Sequence, residues 1–249
     1  MVAVEPSHTW RGLYASGLLG RFVVLCVGIW LHATDTLVPA TIAPAIVDDI
    51  GGIAYINWTI TLYEVGAIIA GVTTPMLCRR GGVKRVLRVA ALLYGGGCII
   101  AGLAPTMGAL LAGRVAQGMG GGMLLSLCYL AIQAWFTQSW WSRLFGIVAV
   151  IWGAGSLLGP MIGGIFAGLH AWRLTFTVFA PEAALLWVMA TLWLPSDSPT
   201  RRTATSWPRL PLLILTAGTL VIAQSSVTNS VAAAVLSSFT GVSLLYVAA

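Results

Sequence analysis

Eight apolar runs constrain this chain more than any other feature: residues 22–45, 54–77, 86–105, 109–134, 145–169, 173–194, 209–226 and 231–249. Each of the first six is long enough to cross a hydrocarbon core of about 30 Å as a helix rising about 1.5 Å per residue. Only 8% of the 249 residues are charged, where soluble domains carry about 25%. Mean hydropathy is +0.92. The predicted fold class is therefore an all-α integral membrane protein, and a soluble domain is excluded.

The net charge of +6 does not signal nucleic acid, because its placement has a better explanation. Arg11 and Arg21 precede the first span. Arg79, Arg80, Lys84, Arg85 and Arg88 lie between the second and third, Arg143 follows the fourth, and Arg201, Arg202 and Arg209 follow the sixth. All fall on one side of the membrane if the N-terminus is cytoplasmic, as the positive-inside rule requires. Arg114, within span four, and Arg173, at the outer end of span six, are the exceptions. The outer loop after span one is predicted to carry Asp48 and Asp49 instead. The organisation reads as a cytoplasmic N-terminus (1–21), a six-helix bundle (22–194), a Pro-rich cytoplasmic linker (195–208) and two further spans (209–249).

Four ionisable residues cannot be placed in loops: Asp35, Glu64, Arg114 and Glu182. Each costs roughly 2.5–3.5 kcal/mol at a helix centre on insertion scales, so each must be paired or face water. Asp35, in the outer half of span one, and Arg114, about 7 Å from the outer end of span four, fall at similar heights and are able to pair. Gln117 lies one turn along and offers a further hydrogen bond. Glu64 and Glu182 lie near the midplane, each about 14 Å from the outer end of its span. Three acids against one base imply that at least one acid carries a proton, as a proton carrier must. A purely structural clamp is the competing reading of Asp35 and Arg114. For Glu64 and Glu182 it is a protonated, hydrogen-bonded helix residue. His32 stands three residues before Asp35, as a packing residue or a pH-sensitive neighbour. Pro39 and Pro44 follow Asp35 and are predicted to weaken span one there, since proline cannot donate to the helix.

Glycines form two stripes. Arg114, Gly118 and Gly122 share one face of span four, and Gly155, Gly159 and Gly163 share one face of span five. Small residues on one face let a neighbouring helix approach closely. Pro160 sits inside the second stripe and favours a bend. Cys26, Cys78, Cys98 and Cys128 have no C-x-x-C pairing and His8, His32 and His170 no ligand spacing, so neither disulfides nor a metal site is expected. No G-x-S-x-G, H-E-x-x-H or P-loop is present, and no enzyme is predicted.

Taken in order, several motifs resemble those of the major facilitator superfamily, above all its fourteen-span drug:proton antiporters. Asp35-Thr36-Leu37-Val38 resembles the first-helix D-T-x-x motif. Trp58 and Tyr63 resemble W-x-x-x-x-Y, and Arg114 with Gln117, Gly118 and Gly120 resembles R-x-x-Q-G-x-G. The segment GAGSLLGPMIGG, with Gly155, Gly159, Pro160, Gly163 and Gly164, resembles the antiporter motif of the fifth helix. Trp172, Arg173 and Phe176 resemble W-R-x-x-F. The loop PMLCRRGGVKR departs from G-x-L-x-D-R-x-G-x-K/R-R. Arg80, Gly82, Lys84 and Arg85 match, but Pro75 replaces the first glycine and Arg79 the aspartate. An arginine there inverts the charge of the family's cytoplasmic latch, so that latch is built differently or gating is impaired. Glu64 and Glu182 are not the usual residues of their motifs either.

The resemblance covers residues 20–195 and implies the N-terminal bundle of a proton-coupled exporter of small organic compounds, with spans seven and eight as the extra pair of fourteen-span members. It implies alternating access, with Asp35 carrying protons or sensing cationic substrate, Arg114 tuning it, Glu64 as an additional contact, and the fifth-helix glycines limiting leak. No cofactor is expected beyond the proton gradient. The expected partners are the lipid bilayer, a small-molecule substrate, and a missing C-terminal half or a second copy. The expected location is a bacterial plasma (inner) membrane. Two other readings stay open: an uptake symporter of the same superfamily, and a non-transporting, truncated or repurposed membrane protein.

Overall fold

The computed structural model describes residues 10–195. Over these residues the chain is helical, with no strand. A short helix α1 (Trp10–Ala15) leads into α2 (Leu18–Ile50). A single 3-10 turn (Ile53–Tyr55) precedes α3 (Trp58–Gly81), followed by α4 (Val83–Gly102), α5 (Met107–Trp135), α6 (Gln138–Gly168), α7 (Trp172–Thr177) and α8 (Phe179–Trp193). With the 3-10 turn joined to α3, and α7 to α8, these make six segments long and apolar enough to cross a membrane. A backbone inside lipid must satisfy its own hydrogen bonds, and continuous helices do so. The predicted linker from residue 196 onward and the two further spans of 209–249 lie outside the described residues.

The turns explain where the helices stop. Gly51 and Gly52 take left-handed φ values of 70° and 84°, which end α2 and redirect the chain. Thr106 caps α5, its hydroxyl accepting from the Ala109 backbone N–H at 3.3 Å. Gly82, at φ 78°, is the whole connection between α3 and α4.

α5 lies at the centre of the packing. It is held by α3 on one side and α4 on the other, while α2 lies along α6 and α4 along α8. Glycine makes these approaches close. A Cβ at Gly118 would run into the Tyr63 carbonyl, and one at Gly122 into the Ala67 backbone, so this face of α5 lies directly on α3. One at Gly97 would come within 2.5 Å of the Gln117 backbone nitrogen, and one at Gly120 within 2.5 Å of that of Tyr94, so the opposite face lies on α4. Large apolar side chains remain outward on the flanks of the bundle, among them Leu92 and Ile99 on α4, Leu157 and Ile165 on α6, and Leu185 and Leu192 on α8. That is the surface expected of a body immersed in lipid.

Three expectations are corrected. Asp48 and Asp49 do not lie in a loop, because α2 continues through them to Ile50. Pro39 and Pro44 do not interrupt α2, which runs unbroken past both. Each proline removes a single backbone donor, and the rest of the helix ladder stays in place. The basic segment between spans two and three is not an extended loop. Arg79 and Arg80 sit in the last turn of α3, and Lys84 and Arg85 in the first turn of α4.

Candidate functional site

α2 brings Asp35 into the interior and α5 brings Arg114 to meet it. Both side chains are 0% exposed, and their closest charged atoms are 2.9 Å apart. The geometry is not the forked pair that arginine and carboxylate often form. One guanidinium nitrogen, Nη1, faces both carboxylate oxygens at 2.9 Å and the Gln117 side-chain oxygen at 3.1 Å. Nε donates to the Thr59 carbonyl of α3 at 2.9 Å. Nη2 has no acceptor, although it is buried. The arginine is thus anchored on two sides with one donor uncommitted.

The surroundings complete the pair. Gln117 donates from Nε2 to Asp35 Oδ2 and to the Cys98 sulfur, each at 3.2 Å. The Tyr94 hydroxyl donates to the Leu31 carbonyl at 3.0 Å. The Arg114 guanidinium lies 4.2 Å above the Tyr63 ring centroid and 5.7 Å from that of Phe176. Aromatic faces take the place of water around a desolvated cation. Removing one member of a buried pair leaves an uncompensated charge costing about 3–5 kcal/mol, so the two charges hold each other in place.

Tyr63 links this pair to a second region. Its hydroxyl lies 2.7 Å from His32 Nδ1, and His32 contacts Trp152 of α6 edge-on at 5.5 Å. His32 also borders a cleft of about 490 Å³ between α3 and α5, together with Glu64, Pro75, Ser126, Tyr129 and Gln133. Glu64 is half-buried there. The cleft is mostly apolar, with a few polar groups converging on it, as in sites for small organic molecules.

The other singled-out residues fall elsewhere. Glu182 does not join the pair; it stands in the first turn of α8. The fifth-span stripe packs on the helix that carries Asp35. A Cβ at Gly155 would lie 2.8 Å from that of Ala33, one at Gly159 would collide with the Thr34 carbonyl, and one at Gly163 with the Thr41 hydroxyl. Gly164 faces open space, and Pro160 lies within the unbroken helix α6. At the end of the bundle remote from Gly82, Asp49 is paired with Arg173 and accepts from Trp172 Nε1 at 3.0 Å. No group of three His, Cys, Asp or Glu side chains comes together among the described residues.

Sequence reasoning missed Tyr94, Cys98 and the Thr59 carbonyl as neighbours of the pair. Tyr94 sits in an apolar stretch with no flanking charge, and a backbone acceptor leaves no trace in side-chain identity.

The model of the Major Facilitator Superfamily matches residues 25–249. A Mycobacterium tuberculosis protein named "Probable multidrug-efflux transporter" is 35% identical over 182 residues, covering 73% of this chain and 38% of its own. Multidrug resistance protein 3 of Bacillus subtilis is 32% identical over 168 residues, covering 66% of this chain and 33% of its own. The chain therefore spans between a third and two fifths of the length of these curated relatives. The crystal structure of a D-xylose–proton symporter superposes with a TM-score of 0.64 at 14% identity, over 93% of this chain and 66% of that one. This last likeness concerns the fold alone. The mycobacterial relative is named as a transporter.

Proposed function

Because the chain belongs to the Major Facilitator Superfamily, we propose that it is the N-terminal part of a fourteen-span drug:proton antiporter that exports small organic compounds by alternating access. The observation that carries this reading is the Asp35–Arg114 pair, fully buried and joined by Tyr63 and His32 to the wall of a cleft. Intramembrane ionisable residues are expensive and mark ion or substrate paths. The name of the mycobacterial relative supports efflux as the direction.

In this reading Asp35 takes up a proton as substrate leaves, and Arg114 exchanges the carboxylate for another acceptor, its uncommitted Nη2 being the donor at hand. Glu64, on the cleft wall, meets cationic substrate. A second six-helix body closes over the cleft. The glycine contact between α2 and α6 keeps the bundle free of leaks while the two bodies rock. The energy source is the proton gradient, with no cofactor. The membrane is a bacterial plasma membrane with the N-terminus on its cytoplasmic side, a reading that the distribution of basic residues supports.

The test uses the intact protein in proteoliposomes with a fluorescent organic cation and an imposed pH gradient. Gradient-driven export that Asp35→Asn abolishes, with insertion unchanged, is the expected result. Accumulation in the opposite direction would make the protein an uptake symporter. Coupled export retained by Asp35→Asn would remove that residue from the mechanism.

A further inference from the structure

A basic groove runs along the outside of the bundle where α4 begins. It has a volume of about 520 Å³ and lies between the first turns of α4 and the last turns of α8. Lys84, Arg85 and Arg88 supply its charge, and Val89, Leu92 and Trp187 its apolar wall. The Arg88 guanidinium stacks on Trp187, 4.6 Å from the ring centroid.

Three observations leave this charge without a partner among the described residues. The cations sit in the first two turns of α4, where the helix dipole is already positive and acidic residues are the favourable choice. No acid stands in that first turn, and Gly82 offers no side-chain cap. Among the described residues the ion pairs are Asp35 with Arg114 and Asp49 with Arg173, so no carboxylate meets Lys84, Arg85 or Arg88. Two N–H donors of the groove lining, Arg88 Nε and Trp187 Nε1, are buried without an acceptor. Buried donors in folded proteins nearly always have a partner.

We propose that this groove binds the headgroup of an anionic membrane phospholipid. The phosphate lies against Lys84 and Arg88, and an acyl chain runs over Val89 and Leu92. The spacing suits such a molecule. From Lys84 to Leu92 the helix rises about 12 Å, leading from the charged turn to outward-facing Leu92, which is 61% exposed. Trp187 marks the boundary, as tryptophan does at membrane interfaces. Basic pockets between transmembrane helices recognise anionic headgroups in this way. A soluble phosphate would satisfy the cations but leave the apolar wall unused. The proposal requires only that the bundle sits in a bilayer and is independent of what is transported.

The test is native mass spectrometry of the full chain in detergent, titrated with phosphatidylglycerol, phosphatidylcholine or inorganic phosphate. The expected result is one phosphatidylglycerol retained at least about tenfold more tightly than phosphatidylcholine, with each of Lys84→Gln and Arg88→Gln weakening it about fivefold. Arg143→Gln makes the same charge change in the first turns of α6, at the same end of the bundle, and is expected to have no effect. Lys84→Gln carries the test if Arg88→Gln, which loses the Trp187 stack, does not fold. Equal retention of the two lipids, or equal loss with Arg143→Gln, would overturn the proposal in favour of general surface charge. Displacement of the lipid by millimolar inorganic phosphate would overturn it in favour of a free-anion site.

Discussion

The Tyr63 hydroxyl and His32 Nδ1 lie 2.7 Å apart, and the two rings stack with their centroids 5.6 Å apart. The other face of the same story is Arg114, whose guanidinium sits 4.2 Å from the Tyr63 ring. One side chain thus serves a hydrogen bond and a cation at once, and the two services can be separated. Tyr63→Phe keeps the ring and loses the hydroxyl, with an expected cost of about 1 kcal/mol. Tyr63→Leu also loses the aromatic face, at an expected further cost of about 2 kcal/mol. Equilibrium unfolding in mixed micelles measures both, and equal losses would show that the ring contributes nothing to holding the arginine.

Asp35 and Arg114 depend on each other because both are shut away from water. Asp35→Asn alone leaves a buried guanidinium without its counter-charge, and about 3–5 kcal/mol of destabilisation is expected. Adding Arg114→Gln removes the stranded charge, so the double variant is expected to lose less than the sum of the single ones. The same unfolding measurement, arranged as a double-mutant cycle, gives the coupling. Strict additivity would mean that the pair is not an energetic unit.

Gly159 and Gly164 belong to one sequence motif but occupy different surroundings. A Cβ at Gly159 has no room beside the Thr34 carbonyl, whereas one at Gly164 meets nothing within 4 Å. Gly159→Ala is expected to cost about 1–3 kcal/mol, because two backbones must separate. Gly164→Ala is expected to stay within about 0.5 kcal/mol of the parent. Thermal unfolding in detergent distinguishes them, and equal shifts would show that the α2–α6 contact is looser than it looks.

Asp49 ties the end of α2 to the start of α7 through Arg173 and Trp172. Arg173 also donates to the Ala104 carbonyl at 3.0 Å, so three connections meet at one point. Asp49→Ala is expected to speed amide exchange at residues 49–57 and 169–173 and to leave 110–124 unchanged. Hydrogen-exchange mass spectrometry reads this directly, and uniform acceleration would mean a general loss of stability instead.

Much of this was legible in the chain itself. Six apolar runs of membrane length became six membrane-length segments, because in lipid a helix is the default for an apolar run. The Asp35–Arg114 meeting followed from depth arithmetic and from the cost of leaving either charge alone. Regular spacing also put Gly155, Gly159 and Gly163 on one packed face. Other features turned on contacts that spacing does not encode. Glu64 and Glu182 have the same residue type at similar depth, yet one borders a cleft and the other stands in the first turn of α8 away from it, a difference set by how helices rotate about their axes. Pro39 and Pro44 looked like breaks, but one missing donor does not unwind a helix packed along α6. The basic stretch looked like a loop because it is polar, though its helical parts simply emerge from the apolar layer.

Gly82 has a mechanical consequence. A joint of one residue has no slack, so α3 and α4 share a single phase about their axes. Inserting one residue after Gly82 would turn α4 by about 100° if its start stayed fixed. Arg88 would swing away from Trp187, and Gly97 would no longer meet Gln117. The outer groove and the inner polar cluster, on opposite sides of α4, would lose their alignment together. This short turn therefore keys the lipid-facing surface to the protein interior, and its length matters as much as its chemistry.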